Sequence, residues 1–288
     1  MKKRMMKLIA ERLGLTGEES KLIVKSFDVV GDIAIIKVPN ELLNLRFKIG
    51  KELVRELKNV KAVFRQASKI SGDYRLRKLE WLAGEKRTLT IYREHGCVYR
   101  VDVEKTYFSP RLSNERLRIA KLVCGGETVV NMFAGVGPYS ILIAKMHPNV
   151  RVYSIDLNPY AVKLHVENCR LNKVEDRVEV IYGDAEDILR RRLSGSANRV
   201  LMPLPEKAIK YLDAALKGLK NRGILHVYLH VPYVERELEA LNKACQLVTR
   251  EVERLKAKVL EVKANRVREV KTRTLQICVD TCVKKLET

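Results

Sequence analysis

The sequence predicts an α/β protein: a doubly wound, mainly parallel sheet with an antiparallel edge strand, preceded by a smaller α/β domain. Three observations lead there. From residue 128 to residue 230, runs of β type alternate with runs of helical type, the pattern of right-handed crossover units. A turn rich in small residues, Asn131-Met132-Phe133-Ala134-Gly135-Val136-Gly137-Pro138, follows one predicted strand and opens a helix. Carboxylates close the next two strands, at Asp156 and Asp184.

The elements follow in order. Residues 1–20 read as a helical stub ending in a polar turn. Residues 21–105 form the small α/β domain. KLIVKSFDVVGDIAIIKVPN reads as two strands around a turn at Asp28–Gly31, with Ile33, Ile35 and Ile36 buried. From Glu41 to Lys58, Leu43, Phe47, Ile49, Leu53 and Leu57 recur at helical spacing. VKAVFRQ, SGDYRLR, LEWLAG and TLTIYREHG then read as strands with turns. Residues 106–288 form the larger domain. A loop leads into a helix with Ser113 as its N-cap. Strands are expected at 128–133, 150–157, 177–184, 199–204 and 223–230, and helices at 138–146, 159–171, 185–192, 206–220 and about 233–248. Two consecutive β-rich runs, LKAKVLEVKANRVREV and TLQICVDTCVK, close the chain as an antiparallel pair at the sheet edge.

Composition narrows the partners. Lys and Arg number 56 against 35 Asp and Glu, a formal net charge of +21 over 288 residues. Such an excess points to a polyanion, nucleic acid before others. The competing reading is heat adaptation in a thermophile, since Gln occurs only at 66, 246 and 276. No apolar run approaches the ~18 residues of a membrane span. The basic start is cut off by Glu11 and Arg12, too early for a secretory core. The six cysteines show no CxxC spacing, which implies reduced thiols, a cytoplasmic chain and no metal. Cys278 and Cys282 fall on one strand face and read as core.

The turn at 131–138 carries the sharpest chemistry. Small residues let backbone approach a ligand, and a helix N-terminus offers free N–H groups. Asp156 lies 19 residues after Gly137, where a carboxylate can accept both hydroxyls of a ribose. Asp184, after Gly183, lies where an adenine amino group would be read. Ser140 stands where a dinucleotide fingerprint would place a third glycine. A nucleoside without phosphates therefore fits better than NAD, and S-adenosylmethionine is the common one. A turn that needs glycine for steric reasons alone is the alternative.

The runs TYFSPRLSNER, NMFAGVGPYSI, IDLNPYAV and VLMPLPEKA, preceded by VVGDIAII and SGDYRLRKLEWLAG, resemble the archaeal and eukaryotic tRNA (guanine-37-N1)-methyltransferase family. The resemblance runs from Phe27 to Val283. It implies a class I, Rossmann-like methyltransferase domain that takes S-adenosylmethionine and acts on the anticodon region of tRNA as a monomer. It assigns Asn131, Phe133, Gly135, Gly137, Asp156, Leu157, Asp184 and Ala185 to the cofactor. Tyr107, Pro110, Arg111, Pro203, Leu204 and Pro205 go to the substrate. Sister families in wyosine synthesis share such turns and transfer other groups, or a methyl, to the same tRNA position.

The reaction sets its own demands. Guanine N1 carries a proton, so a base must remove it while a cation stabilises the charge appearing on O6. The resemblance implies Glu115 for the first role and Arg75 for the second. Arg77 reads as sharing a strand face with Arg75, and Glu115 could equally serve the dipole of its helix. Tyr107 or Phe108 could stack on a flipped base. His95 reads as structural. His226 and His230 share a strand face with no carboxylate or Cys to pair with, which implies packing. Three departures from the family pattern stand out. Asn131 replaces an Asp. Pro203-Leu204-Pro205 replaces Asn-Leu-Pro and removes an amide that would hold the base, leaving the carbonyls near Met202 and Arg75 to orient it. Too few residues precede FDVVGDIAII for the extra N-terminal domain common in the family, so RNA contact is expected from basic runs: Arg116 to Arg118 with Lys121, Arg190 to Arg192, and Arg254 to Arg273.

Overall fold

A computed structural model of the chain describes residues 2–23 and 27–286. It divides into two compact units, 1–113 and 114–288.

The first unit opens with α1 (Lys2–Arg12) and α2 (Gly17–Leu22). Thr16 caps α2 through a capping box with Glu19. The helix expected to be a stub is part of the core: Met6, Ile9 and Ala10 are buried with Leu42, Ile49 and Leu53. Each of the Met, Ile and Leu side chains contributes about 1.5–3 kcal/mol relative to exposure. The Ile-rich run folds as β1 (Asp28–Val30) and β2 (Ile33–Ile36), and all four residues of β2 are buried. The Val24–Ser26 part of that expectation lies outside the described residues. A 3-10 turn and α3 (Arg46–Glu56) follow, then β3 (Ala62–Gln66) and β4 (Leu79–Gly84). β2 pairs with β3 in parallel and with β1 antiparallel, and β4 closes this four-stranded sheet. β5 (Leu89–Glu94) and β6 (Cys97–Asp102) form a separate hairpin. Its two-residue turn, His95-Gly96, has positive φ at both positions, the twist a tight hairpin needs.

The expected strand at SGDYRLR is absent. Residues 72–75 form a turn closed by a Ser71–Leu76 bridge. Arg75 sits in it with a left-handed φ of 56°, so it does not share a strand face with Arg77.

The second unit carries α4 (Ser113–Leu122), which begins at the last residue of the first unit, and a seven-stranded sheet. In chain order these are β7 (Thr128–Asn131), α5 (Pro138–Met146), β8 (Arg151–Asp156), α6 (Pro159–Asn172), β9 (Val178–Tyr182), α7 (Ala185–Arg191), β10 (Ala197–Met202), α8 (Leu212–Gly218), β11 (Leu219–Pro232), α9 (Glu237–Arg254), β12 (Ala257–Lys271) and β13 (Thr274–Lys285). The sheet order is β12-β13-β11-β10-β7-β8-β9. The five strands from β9 to β11 are parallel. β13 runs antiparallel between β11 and β12. The antiparallel strand is thus one place in from the edge, and β12 is the edge. The chain order reverses between β7 and β10, the switch point at which open α/β sheets bind ligands.

Candidate functional site

At the carboxyl end of β7, Asn131 is fully buried and its amide donates to Ser140 Oγ at 3.1 Å. This pair secures the strand end to α5. The chain then turns through Gly135 (φ 54°) and Gly137 (φ 92°). A Cβ on Gly137 would lie 2.3 Å from the His165 ring, so this position admits glycine only. His165 is fully buried on α6, and burial lowers its pKa to about 3, keeping it neutral. Gly135 N–H donates to Asp156 Oδ2 at 2.6 Å, and Asn158 N–H donates to Oδ1 at 2.9 Å. One backbone donor occupies each oxygen, so each keeps a lone pair for another. Burial raises the pKa of Asp156, and those two bonds oppose the rise.

Around this carboxylate, Phe133 is half-buried and packs edge-on against Tyr211, with ring centroids 5.1 Å apart. Leu157 is 40% exposed at the end of β8, beside the turn. Asp184 caps α7 through its Oδ1, which accepts from Glu186 N–H at 2.8 Å, and Ala185 is buried behind it. One glycine turn with two positive φ angles, a carboxylate with spare lone pairs and an apolar rim fit a nucleoside.

Pro203-Leu204-Pro205 follows β10 at the same sheet end. Leu204 N–H donates to the Met202 carbonyl at 2.8 Å. The Met202 carbonyl therefore spends one of its two lone pairs within this turn.

Glu115 lies in the first turn of α4 and is 6% exposed. Arg118 grips it with both nitrogens: Nε to Oε2 at 2.7 Å and Nη2 to Oε1 at 2.8 Å. Tyr228 O–H donates to Oε1 at 2.8 Å. Arg118 also donates to both oxygens of Asp280, at 2.6 and 3.2 Å. Asp280 Oδ1 lies 2.6 Å from His226 Nδ1, and His226 Nε2 lies 2.7 Å from Arg199 Nη1. Arg199 in turn pairs with both oxygens of Glu127, at 2.7 and 2.9 Å. Arginine can only donate, so His226 Nε2 accepts and Nδ1 carries the proton. Burial lowers the His226 pKa against the pull of Asp280. Burial would raise the Asp280 carboxyl, but His226 and Arg118 hold it well below the carboxylate range.

This chain of side chains corrects several sequence readings. His226 does have a carboxylate partner and a nearby thiol, since Cys278 Sγ is 3.3 Å from Asp280 Oδ1. The cluster of His226, Cys278 and Asp280 has ligand atoms within 4.8 Å, but Arg118 and Arg199 already balance its charge. The strand face shared by Cys278 and Cys282 is therefore polar and carries Asp280 between them. Arg116 is 1% exposed and Arg118 is committed to two carboxylates, so that run is not a phosphate-binding surface. Arg190 pairs with Glu186 and Asp213, Arg191 with Asp187, and Arg192 with Glu179. These are surface pairs, and Arg191 stays largely exposed.

In the first unit, the Arg75 guanidinium lies 4.3 Å over the Tyr107 ring, a cation–π contact. Phe108 is the core member of its pair, buried against Tyr92 at 4.9 Å. Arg111 Nε donates to Asp28 Oδ1 at 2.7 Å, and Pro110 starts the 3-10 turn that carries it. Burial lowers the Arg77 pKa, with Asp28 and Tyr107 opposing and Arg111 reinforcing the shift. Ser113 is helical rather than an N-cap, and its hydroxyl is 2.8 Å from His95 Nε2. The structural reading of His95 agrees with that bond.

Residues 90–259 match the family described as the TRM5/TYW2 methyltransferase domain, and residues 8–88 match the TYW2 N-terminal domain. The chain is 42% identical over 240 residues to the tRNA (guanine(37)-N(1))-methyltransferase Trm5b of Pyrococcus abyssi, covering 81% of this chain and 70% of that protein. It is 42% identical over 227 residues to the tRNA 4-demethylwyosine(37)-methyltransferase Taw21 of Saccharolobus solfataricus, covering 78% and 84%. A solved complex of aTrm5 with tRNALeu superposes with a TM-score of 0.78 at 36% identity, covering 98% of this chain and 78% of that one. Trm5 of Methanocaldococcus jannaschii with adenosine superposes at 0.77 with 35% identity, covering 99% and 79%.

Proposed function

The chain belongs to the TRM5/TYW2 methyltransferase family, and on that premise we propose that it methylates N1 of guanosine 37 in tRNA, using S-adenosylmethionine. The observation that carries the reading is the buried Glu115 carboxylate at the head of α4, in the same unit as the glycine turn and Asp156. S-adenosylmethionine supplies an electrophilic methyl group. Asp156 accepts the ribose hydroxyls, Gly135 and Gly137 let the backbone approach, Phe133 and Leu157 flank the nucleoside, and Asp184 with Ala185 borders its adenine. Asn131 holds the strand end through Ser140 rather than offering a charge to the methionine.

Glu115 accepts the N1 proton. Arg75 is the residue assigned to the charge on O6, and its contact with Tyr107 keeps the guanidinium in place. Tyr107, Pro110, Arg111 and Pro203 to Pro205 are the residues assigned to the substrate. Removing the cation in Arg75→Ala should lower kcat by ~10²–10³, the worth of one oxyanion donor, with S-adenosylhomocysteine affinity unchanged.

The deciding assay uses unmodified tRNA transcripts with and without guanosine at position 37, labelled S-adenosylmethionine and mass analysis of the digested nucleosides. Methyl transfer to the G37 transcript alone supports the reading. Transfer to both, or to neither, sinks it.

A second reading rests on Pro203, which takes the place of the expected Asn, and on the identity to a 4-demethylwyosine methyltransferase across 84% of that relative's length. In that tricyclic base the former N1 is closed into a ring and cannot take the methyl, so the proton released comes from a different atom. A tRNA carrying 4-demethylwyosine should then gain one methyl group from S-adenosylmethionine. If the mass spectrum shows an added aminocarboxypropyl group instead, both methyl-transfer readings fail.

A further inference from the structure

We propose that Arg118, held from behind by Asp280, is the positioning residue of Glu115 and leaves Oε2 as the atom that takes the substrate proton. This rests on Glu115 being the base. An ionised carboxylate offers about four lone-pair sites. Oε1 spends two, accepting from Tyr228 O–H and Arg118 Nη2, both at 2.8 Å. Among the described residues, Oε2 accepts only from Arg118 Nε, at 2.7 Å. One lone pair remains, and it is on Oε2.

A bidentate guanidinium fixes the plane of a carboxylate, but a lone Arg–Glu pair would also blunt its basicity. Asp280 answers this by drawing on the same guanidinium with both oxygens. Asp280 is itself immobilised: Asn265 donates to Oδ2 at 2.8 Å and His226 holds Oδ1. Neutral His226 is locked by Arg199, and Arg199 by Glu127. The hydrogen-bonded chain therefore sets three carboxylates (Glu115, Asp280, Glu127) against two guanidiniums (Arg118, Arg199). Its spare negative charge leaves room for one proton. In the step, the N1–H bond breaks as an O–H bond forms at Oε2. The electron pair stays on N1 and makes the N–C bond, while the methyl–sulfur pair leaves with sulfur.

The test is single-turnover methyl transfer to a G37 transcript, with active sites counted by S-adenosylhomocysteine titration. It compares the wild type with Arg118→Gln, Arg118→Lys, Asp280→Asn and Glu115→Gln, and with Arg118→Gln and Asp280→Asn each placed in the Glu115→Gln background. Arg118→Gln should lower the rate by ~10²-fold, the effect of a misplaced catalytic group, with half-saturating tRNA and S-adenosylmethionine within about twofold of wild type. Arg118→Lys should recover part of the loss, and Asp280→Asn should show a smaller one. In the Glu115→Gln background both should cost less than about threefold, because residues that act through one another are non-additive. An undiminished rate in Arg118→Gln, or an equal loss in both backgrounds, overturns the proposal while leaving Glu115 as base. If Arg118→Gln does not fold, Asp280→Asn decides by the same comparison. A fully active Glu115→Gln overturns the base assignment itself, and with it this proposal.

Discussion

The turn after β7 and the ionic chain behind α4 belong to the same unit and are built by opposite means. The turn is backbone: seven consecutive residues, 131–137, with two positive φ angles and one carboxylate 21 residues from the amide it accepts. The ionic chain is side chains: Glu115 reaches Tyr228 across 113 positions, and Arg118 reaches Asp280 across 162. The first shapes a surface for a ligand, and the second aims a single group. Disturbing one should leave the other standing.

Glu115→Gln gives the largest effect. Loss of the proton acceptor should lower the rate on guanosine 37 by ~10²–10⁴. S-adenosylhomocysteine affinity, measured by calorimetry, should stay within twofold, since the glycine turn is untouched. An equal loss of binding and rate would show that the two regions are one.

Asp280→Asn should come next, read as stability. Arg118 would lose a buried counter-charge and the His226 Nδ1–H a charged acceptor, at a cost of about 3 kcal/mol. The Asp280 pKa is held below its ordinary value of 3.8. A depressed carboxyl contributes stability that is present above the unfolded pKa and is lost as pH falls through the folded one. The gap between wild type and variant in chemical denaturation should therefore be full at pH 7 and shrink below about pH 4. A gap that does not change with pH would mean that packing, not charge, is lost.

Gly137→Ala tests the turn. A left-handed φ costs a side chain ~1–3 kcal/mol, and here the Cβ would also strike the His165 ring. Cofactor-product affinity should fall, with the rate at saturation less affected, and Gly137→Ala with His165→Ala should regain part of the loss. No recovery would mean that φ alone sets the requirement.

The same contrast explains what could be read in advance. The strand–helix alternation, the turn and Asp156 were visible because each is encoded within some 20 residues by spacing and residue type. The SGDYRLR run misled because its residues have strand-like spacing, while the Ser71–Leu76 bridge bends it into a turn that places Arg75 at φ 56°. Ser113 has the residue type of an N-cap, but a preceding 3-10 turn already places it in the helix. The partnership of His226 with Asp280 was invisible for a different reason. It depends on β13 inserting antiparallel beside β11, which brings residues 226 and 280 into register. No local pattern specifies that pairing. Charge counts also ignore pairing: Glu179, Glu186, Asp187 and Asp213 lie within reach of Arg190 to Arg192 in the fold.

The smallest expected effect is also the most specific to the turn. Burial raises the Asp156 pKa above its ordinary 3.8. A raised carboxyl favours the folded protein at low pH, and that contribution is lost as pH rises through the folded pKa. Two ribose hydroxyls donating to the carboxylate would reverse this preference, because they favour the ionised form. The thermal shift produced by saturating S-adenosylhomocysteine should therefore be larger at pH 7.5 than at pH 5, and its affinity should begin to weaken at a pH above 3.8, earlier than an exposed carboxylate would allow. Asp156→Asn should bind weakly at every pH and lose the dependence, because an amide offers one acceptor and no titration. If the variant keeps the wild-type profile, the ribose is held elsewhere and the carboxylate serves only to close the turn on Gly135.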